Sequence, residues 1–270
     1  MQEMTESASG RRSARFVSSR PGPAGPESLA LDPPADPARI AGSQTSYGNS
    51  ERRASWTRAC PAGSLTGQPI PLRGLLVKRV LDILLASTGL ILLWPVLFLI
   101  AVAVKLESAG SAIYPSLRAG KDGVRFACYK FRTMVAGAND ARENLRPLNQ
   151  REGPFFKIAD DPRVTKLGRF LRRYSLDELP QLWNVLKGEM SLVGPRPHPV
   201  EDIQHYRIEH YRRLLVKPGM TGLWQVTARD NPSFETCMLL DLGYIRQWSV
   251  LLDWKILMRT IPAVLAGDGQ

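Results

Sequence analysis

Cysteine and histidine are both scarce in this chain of 270 residues, with three of each. The cysteines, Cys60, Cys128 and Cys237, are odd in number and far apart, and no CxxC pair occurs. A disulfide framework needs an even set of cysteines, and a zinc site needs closely spaced thiols or imidazoles. The sequence therefore predicts reduced, structural cysteines in a cytosolic setting, and no zinc site.

Acidic residues are also few, because 25 Asp and Glu stand against 36 Lys and Arg, for a net charge of +11. A basic protein favours anionic partners such as nucleic acid, anionic lipid or phosphorylated small molecules. The sequence has no helix-turn-helix pattern, zinc module or aromatic stacking motif, so we predict no nucleic-acid partner. No apolar stretch follows the N-terminal charges, so we expect no secretory signal peptide.

Large apolar residues are rare over residues 1–74, where Pro, Gly, Ser and Ala dominate. Such a segment cannot bury enough apolar surface to offset the conformational entropy that folding removes. We therefore predict a disordered N-terminal tail. It is either dispensable or a site of regulation or partner binding.

Only one long apolar run is present, LLVKRVLDILLASTGLILLWPVLFLIAVAVKLES, at residues 75–108. Its part from Val80 to Val104 spans about 37 Å as a helix, enough to cross a bilayer. Pro95 lies in the middle and kinks a helix, while basic residues flank both ends and favour the cytoplasm for both. The residues alone leave a spanning helix and a re-entrant helix open. We expect Asp82 in the headgroup layer beside Lys78 and Arg79, and the alternative is a buried functional acid.

The remaining residues, 108–270, have the patterns of a mixed α/β domain that is mostly helical. Residues 124–134, VRFACYKFRTM, alternate as a strand does, while residues 165–175 and 200–216 have helical periodicity. Residues 251–267, LLDWKILMRTIPAVLAG, mix Trp, Leu and Ile with Lys and Arg, as amphipathic interfacial helices do.

Two adjacent carboxylates, Asp177 and Glu178, lie in the segment SLDELPQLWNVLKG. Ser175 and Glu178 match the S-x-x-E capping box, which opens a helix. The same position predicts chemistry, because a helix N-terminus keeps Asp177 ionised and a carboxylate can attack phosphorus to form an acyl phosphate. Mg²⁺ binds one or two carboxylates plus substrate phosphates and would bring the anions together. Capping and catalysis both remain open from these residues.

Basic residues near this segment have two interpretations each. Arg196 lies between prolines in VGPRP, where a stiff backbone suits bidentate contact with phosphate, although a surface turn arginine has the same pattern. Lys130, taken alone, is typical of a solvated lysine on a strand. Arg172 and Arg173 are typical of a solvated basic face that rests on anionic lipid.

Several long motifs together resemble one known family. KRVLDILLASTGLILLWPVLFLIAVAVKLES, YKFRTM, DPRVTKLGRFLRRYSLDELPQLWNVLKGEMSLVGPRP and KPGMTGLWQVTARD are similar to the bacterial monotopic polyprenyl-phosphate phosphoglycosyl transferases, in their short form, over about residues 75–262. The resemblance implies a re-entrant membrane helix at 75–107 and a catalytic domain at 108–270 that faces the cytoplasm from the inner membrane. It also implies transfer of a phospho-sugar from a UDP-sugar to undecaprenyl phosphate with release of UMP, the first membrane step of exopolysaccharide or capsule synthesis.

The same resemblance assigns roles to particular residues. Asp177 is the nucleophile that forms a covalent phospho-sugar intermediate and helps to hold Mg²⁺, and Glu178 is an acid/base or metal helper. Pro95 is the helix break, which favours the re-entrant topology. The basic positions expected near phosphates or nucleotide are Lys130, Arg132, Arg196 and Arg229.

The chain departs from the family pattern at three positions, none of them in the acidic pair. Ser111 replaces a usual Pro, Ser116 a usual Gln, and Ala228 a usual Gly. The alternative to an enzyme is a non-catalytic membrane scaffold of a polysaccharide assembly complex. Several transferred sugars and more than one oligomeric state are compatible with the sequence.

Overall fold

The computed structural model describes residues 72–267, except 139, 142, 152, 230 and 232. The α-helices in this part are α1 (Leu72–Glu107), α2 (Lys166–Arg173), α3 (Gln181–Lys187), α4 (Leu223–Thr227), α5 (Phe234–Arg246) and α6 (Val250–Ala266). The strands are β1 (Ile113–Ala119), β2 (Arg125–Phe131), β3 (Ser191–Val193) and β4 (Gly219–Thr221). A mixed α/β fold that is mostly helical is therefore confirmed. The predicted tail lies outside the described residues, apart from residues 72–74, which begin α1.

Helix α1 is the long apolar helix that the sequence predicts. It has 36 residues and continues through Pro95. Within the described residues it alone is long and apolar enough to cross a membrane, and 6% of its most apolar window is buried. Asp82, Ala86 and Val104 are its buried residues. Most of the apolar surface of α1 is therefore available to lipid, while re-entry at Pro95 stays a prediction.

The basic end of α1 attaches the helix to the domain. Lys78 donates to Asp253 Oδ2 at 2.6 Å. Arg79 donates to the carbonyl oxygens of Val185 and Leu186 at 2.6 and 2.7 Å, at the C-terminal end of α3. These side chains thus serve internal contacts, a role that the sequence did not predict.

Asp82 is buried, so its predicted place in the headgroup layer is wrong. Its carboxylate accepts hydrogen bonds from Ser191 Oγ at 3.0 Å and from the Leu192 amide at 2.9 Å. A buried carboxylate is stable only where it finds such donors. Asp82 therefore ties α1 to β3.

Strands β1 and β2 form an antiparallel hairpin that pairs Ile113 with Phe131 and Ala119 with Arg125. The predicted strand at 124–134 is confirmed within these bounds. Phe126 and Cys128 are buried, and side chains two residues apart lie on one face of a strand. Lys130 continues that series, so it faces the interior of the domain instead of solvent.

The short strands β3 and β4 are parallel and pair Ser191 with Gly219 and Val193 with Thr221. The backbone approaches closely where they end. A Cβ added at Gly194 would lie 2.7 Å from the Lys217 carbonyl oxygen, so only glycine fits there. The close approach of the backbone at Gly194 and Lys217 fixes the start of the Gly-Pro-Arg-Pro turn that carries Arg196.

Residues 200–216 do not form the single helix that their periodicity predicts. They form two 3₁₀ helices, Glu201–His205 and Ile208–Leu215. Tyr206 between them has an extended backbone, and its buried hydroxyl hydrogen-bonds His198 Nδ1 at 2.8 Å. The buried contact of Tyr206 divides the segment, which local pattern alone could not indicate.

Candidate active site

The acidic pair lies in a short 3₁₀ turn, Leu176–Glu178, between α2 and α3. Ser175 before it has a left-handed backbone with φ 53°, and its side chain makes no capping hydrogen bond. Helix α3 begins only at Gln181. The capping-box prediction is therefore wrong, because Ser175 reverses the chain and both acids precede α3.

Glu178 binds two cations at once. Lys130 Nζ and Arg196 Nη2 each donate to Glu178 Oε1 at 2.7 Å. Burial raises the pKa of Glu178, but the charges and hydrogen bonds of Arg196 and Lys130 outweigh burial and hold that pKa well below its usual range. An ionised carboxylate with two ion pairs is a poor proton donor. The geometry suits Glu178 as the anchor that aims Lys130 and Arg196 at one place.

Asp177 has a different environment from its neighbour. Its side chain is 8% exposed, and among the described residues no group donates a hydrogen bond to its carboxylate. Burial raises the pKa of Asp177, opposed by the charge of Lys130, while Glu178 raises it further. The expected stabilisation of its anion by a helix N-terminus gains no support, because Asp177 precedes α3 and its pKa is raised overall despite the nearby cations. A poorly solvated carboxylate with no hydrogen bonds is an available nucleophile or metal ligand.

Two arginines that the sequence did not assign to the site also lie near the acids. Arg172 is half-buried, and its Nε donates to Thr133 Oγ1 at 2.9 Å. Its positive charge lowers the pKa of Asp177 after the larger effects of burial and of Lys130. The prediction of a solvated basic face is therefore wrong for Arg172. The sequence feature that could have indicated this role is the position of Arg172 five residues before Asp177.

Arg118 is the second of these arginines. It donates to Ser116 Oγ at 3.0 Å and to the Pro197 carbonyl oxygen at 3.4 Å. Burial lowers the pKa of Arg118, and the charge of Arg196 lowers it too. Arg118 therefore supports the turn that carries Arg196, whereas the sequence indicated only a positive flank of the membrane helix.

A buried arginine holds the Arg196 turn from behind. Arg213 Nη2 donates to the Arg196 carbonyl oxygen at 2.7 Å and to Asp241 Oδ2 at 2.7 Å. Arg213 Nε adds a second hydrogen bond to Asp241 Oδ2 at 2.9 Å. The two side chains are almost fully buried. The Arg213–Asp241 pair thus fixes the backbone from which the Arg196 guanidinium reaches Glu178.

Arg229 reaches the acidic turn through Ser175. Its Nη2 donates to Ser175 Oγ at 3.2 Å. Arg151 Nη2 donates to the Arg229 carbonyl oxygen at 2.7 Å and holds this loop in place. The structure therefore brings Arg229 to the same side of the domain as Asp177 and Glu178.

Arg132 has a different task from Lys130, which precedes it by two residues. Its guanidinium donates to the carbonyl oxygens of Val104, Ser108 and Ala109, at the C-terminal end of α1. Cations at this end of a helix satisfy orphan carbonyls and interact favourably with the dipole. The geometry gives Arg132 a structural role, and the prediction that it binds substrate gains no support.

The donor set at the acidic turn fits a hard divalent cation at Asp177. Within residues 72–267 as described, no group donates to the Asp177 carboxylate, whereas Glu178 is occupied by Lys130 and Arg196. Mg²⁺ needs only one or two carboxylates when substrate phosphates complete its shell. Asp177 is thus the residue that would hold it.

His198, Cys237 and Asp241 form another group within reach of one another. His198 Nδ1 accepts hydrogen bonds from Tyr206 Oη at 2.8 Å and from Arg213 Nη1 at 3.0 Å, so the histidine carries its proton on Nε2. Asp241 is taken by Arg213. His198 Nδ1 and the Asp241 carboxylate are therefore both engaged by Arg213, and these two residues serve the structure behind Arg196.

Replacing His198 with asparagine is expected to remove part of the acid sensitivity of the fold. Burial lowers the pKa of His198 well below 6.5, and the charge of Arg213 lowers it too. A depressed pKa contributes stability that is present above pH 6.5 and is lost as the pH falls, by up to about 1.4 kcal/mol per pH unit. Asparagine keeps an acceptor oxygen for Tyr206 and Arg213 but does not titrate. Urea unfolding at pH 7.5 and 5.5 should give a smaller pH difference for the variant, and equal differences would contradict this assignment.

Comparison with known proteins identifies the family of the chain. The family model for the bacterial sugar transferases matches residues 73–267. The chain is 44% identical over 196 residues to the galactosyl transferase CpsE of Streptococcus agalactiae, covering 72% of this chain and 43% of that protein. It is 40% identical over 209 residues to the exopolysaccharide production protein ExoY of Rhizobium meliloti, covering 76% of this chain and 92% of that protein.

A third relative is the undecaprenyl-phosphate galactose phosphotransferase of Salmonella typhimurium, 42% identical over 199 residues, 72% of this chain and 41% of that protein. The chain thus spans less than half the length of CpsE and of this transferase, but nearly all of ExoY. The family match covers most of the chain and includes α1, the acidic turn and the Arg196 turn. The chain belongs to the bacterial sugar transferase family.

Proposed function

We propose that the chain transfers a phospho-sugar from a UDP-sugar to undecaprenyl phosphate, as the first membrane step of exopolysaccharide or capsule repeat-unit synthesis. The names of several relatives support the substrates, among them an undecaprenyl-phosphate galactose phosphotransferase and an exopolysaccharide production protein. The observation that carries the proposal is the unequal acidic pair. Glu178 is neutralised by Lys130 and Arg196, whereas Asp177 beside it accepts no hydrogen bond from the part of the chain that the structure describes.

The different environments of Asp177 and Glu178 suit a reaction of two successive displacements at the phosphorus atom that carries the sugar. An Asp177 carboxylate oxygen attacks the phosphorus that carries the sugar, the bond to the UMP oxygen breaks, and UMP leaves with the electron pair. An oxygen of undecaprenyl phosphate then attacks the same phosphorus and releases Asp177 as carboxylate. Lys130 and Arg196, which Glu178 holds in place, stabilise the negative charge on the transferred phosphate. Asp177 would hold Mg²⁺, which would supply further charge neutralisation between carboxylate and phosphate.

Membrane association is part of the proposal. The exposed apolar residues of α1 and of α6, among them Trp94 and Trp254, provide surface for the hydrocarbon and interfacial layers. We place the protein at the inner membrane with the acidic turn on the cytoplasmic side, where nucleotide sugars are found.

Labelling single cysteines tests the re-entrant topology. Leu72→Cys and Ser108→Cys place thiols at the two ends of α1, in a Cys60→Ser background that leaves only the buried Cys128 and Cys237. If α1 enters and leaves by the same face, a membrane-impermeant thiol reagent added to intact cells should label neither position. Both should react after permeabilisation. Labelling of one position from outside would show that α1 spans the membrane.

The activity itself is tested with purified protein in detergent, Mg²⁺ and a panel of UDP-sugars. Without lipid acceptor, we expect UMP in an amount equal to the enzyme, because the covalent intermediate then has no acceptor. Adding undecaprenyl phosphate should give continuous turnover. If no UDP-sugar releases UMP, and a variant lacking both acids restores polysaccharide synthesis in cells, the chain is a scaffold and not an enzyme.

A further inference from the structure

An apolar groove lies between α1, β3 and α6, apart from the acidic turn. It has about 510 Å³ of space that is open to solvent. Its apolar lining includes Leu81, Leu85, Leu192, Val193, Trp254 and Leu257. We name this feature the α1/α6 groove.

The polar residues of the α1/α6 groove are all engaged within the protein. Lys78 donates to Asp253 Oδ2 at 2.6 Å and to the Val193 carbonyl oxygen at 2.9 Å. Asp253 also accepts from Tyr244 Oη at 2.7 Å. Asp82 accepts from two groups of β3, as described above. A polar ligand would find its partners already taken, so the groove selects an apolar occupant.

The position of the α1/α6 groove indicates where that occupant comes from. Leu81 and Leu85 on α1 are each 40% exposed, and Trp254 on α6 is 53% exposed. They belong to the same exposed apolar surface as the rest of α1, the one membrane-crossing candidate among the described residues. A hydrocarbon chain can therefore pass from a bilayer into the groove without crossing a polar rim.

One residue of the groove lining is close in sequence to Arg196, which we propose contacts the phosphate. Val193 lines the groove and also begins the turn that carries Arg196. The three residues from Val193 to Arg196 separate their Cα atoms by at most about 11 Å. Arg196 in turn reaches Glu178, the neighbour of Asp177. A lipid with its chain in the groove can thus place a phosphate headgroup near Arg196.

We propose that the α1/α6 groove binds the isoprenoid chain of the polyprenyl phosphate acceptor. This inference rests on the proposed function, since it assigns a subsite to the second substrate of that reaction. The chain lies against Leu81, Leu85 and Leu257, and the phosphate end points toward Arg196. The groove therefore selects acceptors by the length of their apolar chain.

Filling the groove tests the inference. Leu85→Trp adds bulk inside it, while Leu84→Trp is the matched control, one residue along α1, 57% exposed and outside the groove lining. We expect Leu85→Trp to raise KM for undecaprenyl phosphate at least about fivefold, and Leu84→Trp to leave KM unchanged. Both variants should release one UMP per enzyme without acceptor, as the native protein does, because Asp177 is untouched.

The outcomes separate the two proposals. If the native protein releases no UMP, the proposed function fails. If UMP release is normal and Leu85→Trp leaves KM for the acceptor unchanged, the groove assignment alone fails. A change confined to binding of phospholipid vesicles would show that the groove holds ordinary acyl chains and would also overturn the assignment.

A second measurement does not depend on any variant. A polyprenyl phosphate analogue with a photoreactive group in its chain should cross-link the native protein within Leu81–Leu85 or Val250–Leu257. Undecaprenyl phosphate in excess should compete with the cross-link, whereas phospholipid should not. Cross-links found only at other segments would contradict the inference.

Discussion

Replacing Asp177 with asparagine is expected to abolish UMP release, with a loss of at least about 1000-fold, because the amide cannot form the bond to phosphorus. The fold should keep its stability. Burial raises the pKa of Asp177, so its ionised form is less stable in the folded protein than in the unfolded chain at neutral pH. A neutral side chain of the same shape removes that penalty, and we expect an unchanged or higher Tm together with the lost activity.

The measurement for Asp177→Asn is single-turnover UMP release with a radiolabelled UDP-sugar, followed by isolation of the protein. The native enzyme should retain label on the polypeptide, and the variant should not. Glu178→Gln is a useful comparison, because it leaves the nucleophile in place but frees Lys130 and Arg196. It should retain slow labelling. A labelled Asp177→Asn protein would refute the nucleophile assignment.

Replacing Arg213 with methionine is expected to lower the free energy of unfolding by about 3–5 kcal/mol, because it leaves the buried Asp241 carboxylate without its partner. Arg213 makes its ion pair to Asp241 Oδ2 at 2.7 Å in a region with almost no solvent contact. It also donates to the Arg196 carbonyl oxygen. Loss of Arg213 should therefore also weaken substrate binding in any protein that remains folded.

The control for Arg213→Met is the double variant Arg213→Met with Asp241→Leu. Removing both charges leaves no unpaired charge at this position, so the double variant should recover most of the lost stability. Urea unfolding in detergent measures each variant. A single variant that loses less than about 1 kcal/mol, or a double variant that is weaker than the single one, would contradict a stabilising ion pair.

The arrangement also explains why the two acids differ although they are neighbours. Glu178 is held by cations from two distant segments, Lys130 on β2 and Arg196 after β3. Asp177 feels the longer-range charges of the same two cations and of Arg172. One carboxylate thus organises the positive charge, and the other accepts no hydrogen bond from the described residues.

Local pattern was sufficient for several features of this protein. The uninterrupted apolar composition predicted α1, alternation predicted β2, and the apolar spacing at residues 165–175 predicted α2. The motif around Asp177 and Glu178 indicated the candidate site, since adjacent acids among arginines suit phosphate chemistry. These features depend on residues close together in the chain, so the order of residue types carries them.

Only the tertiary structure decided which charges meet. Lys130 and Arg132 are two residues apart, yet one pairs with Glu178 and the other binds the end of α1. The buried contacts of Tyr206 divide a segment whose periodicity predicts one helix, and Ser175 turns the chain where its motif predicts a cap. Each outcome depends on partners far away in the sequence, whose burial and hydrogen bonds outweigh local preference. The sequence by itself determined the elements and the chemical types available, and long-range packing determined that Glu178 is paired with Lys130 and Arg196.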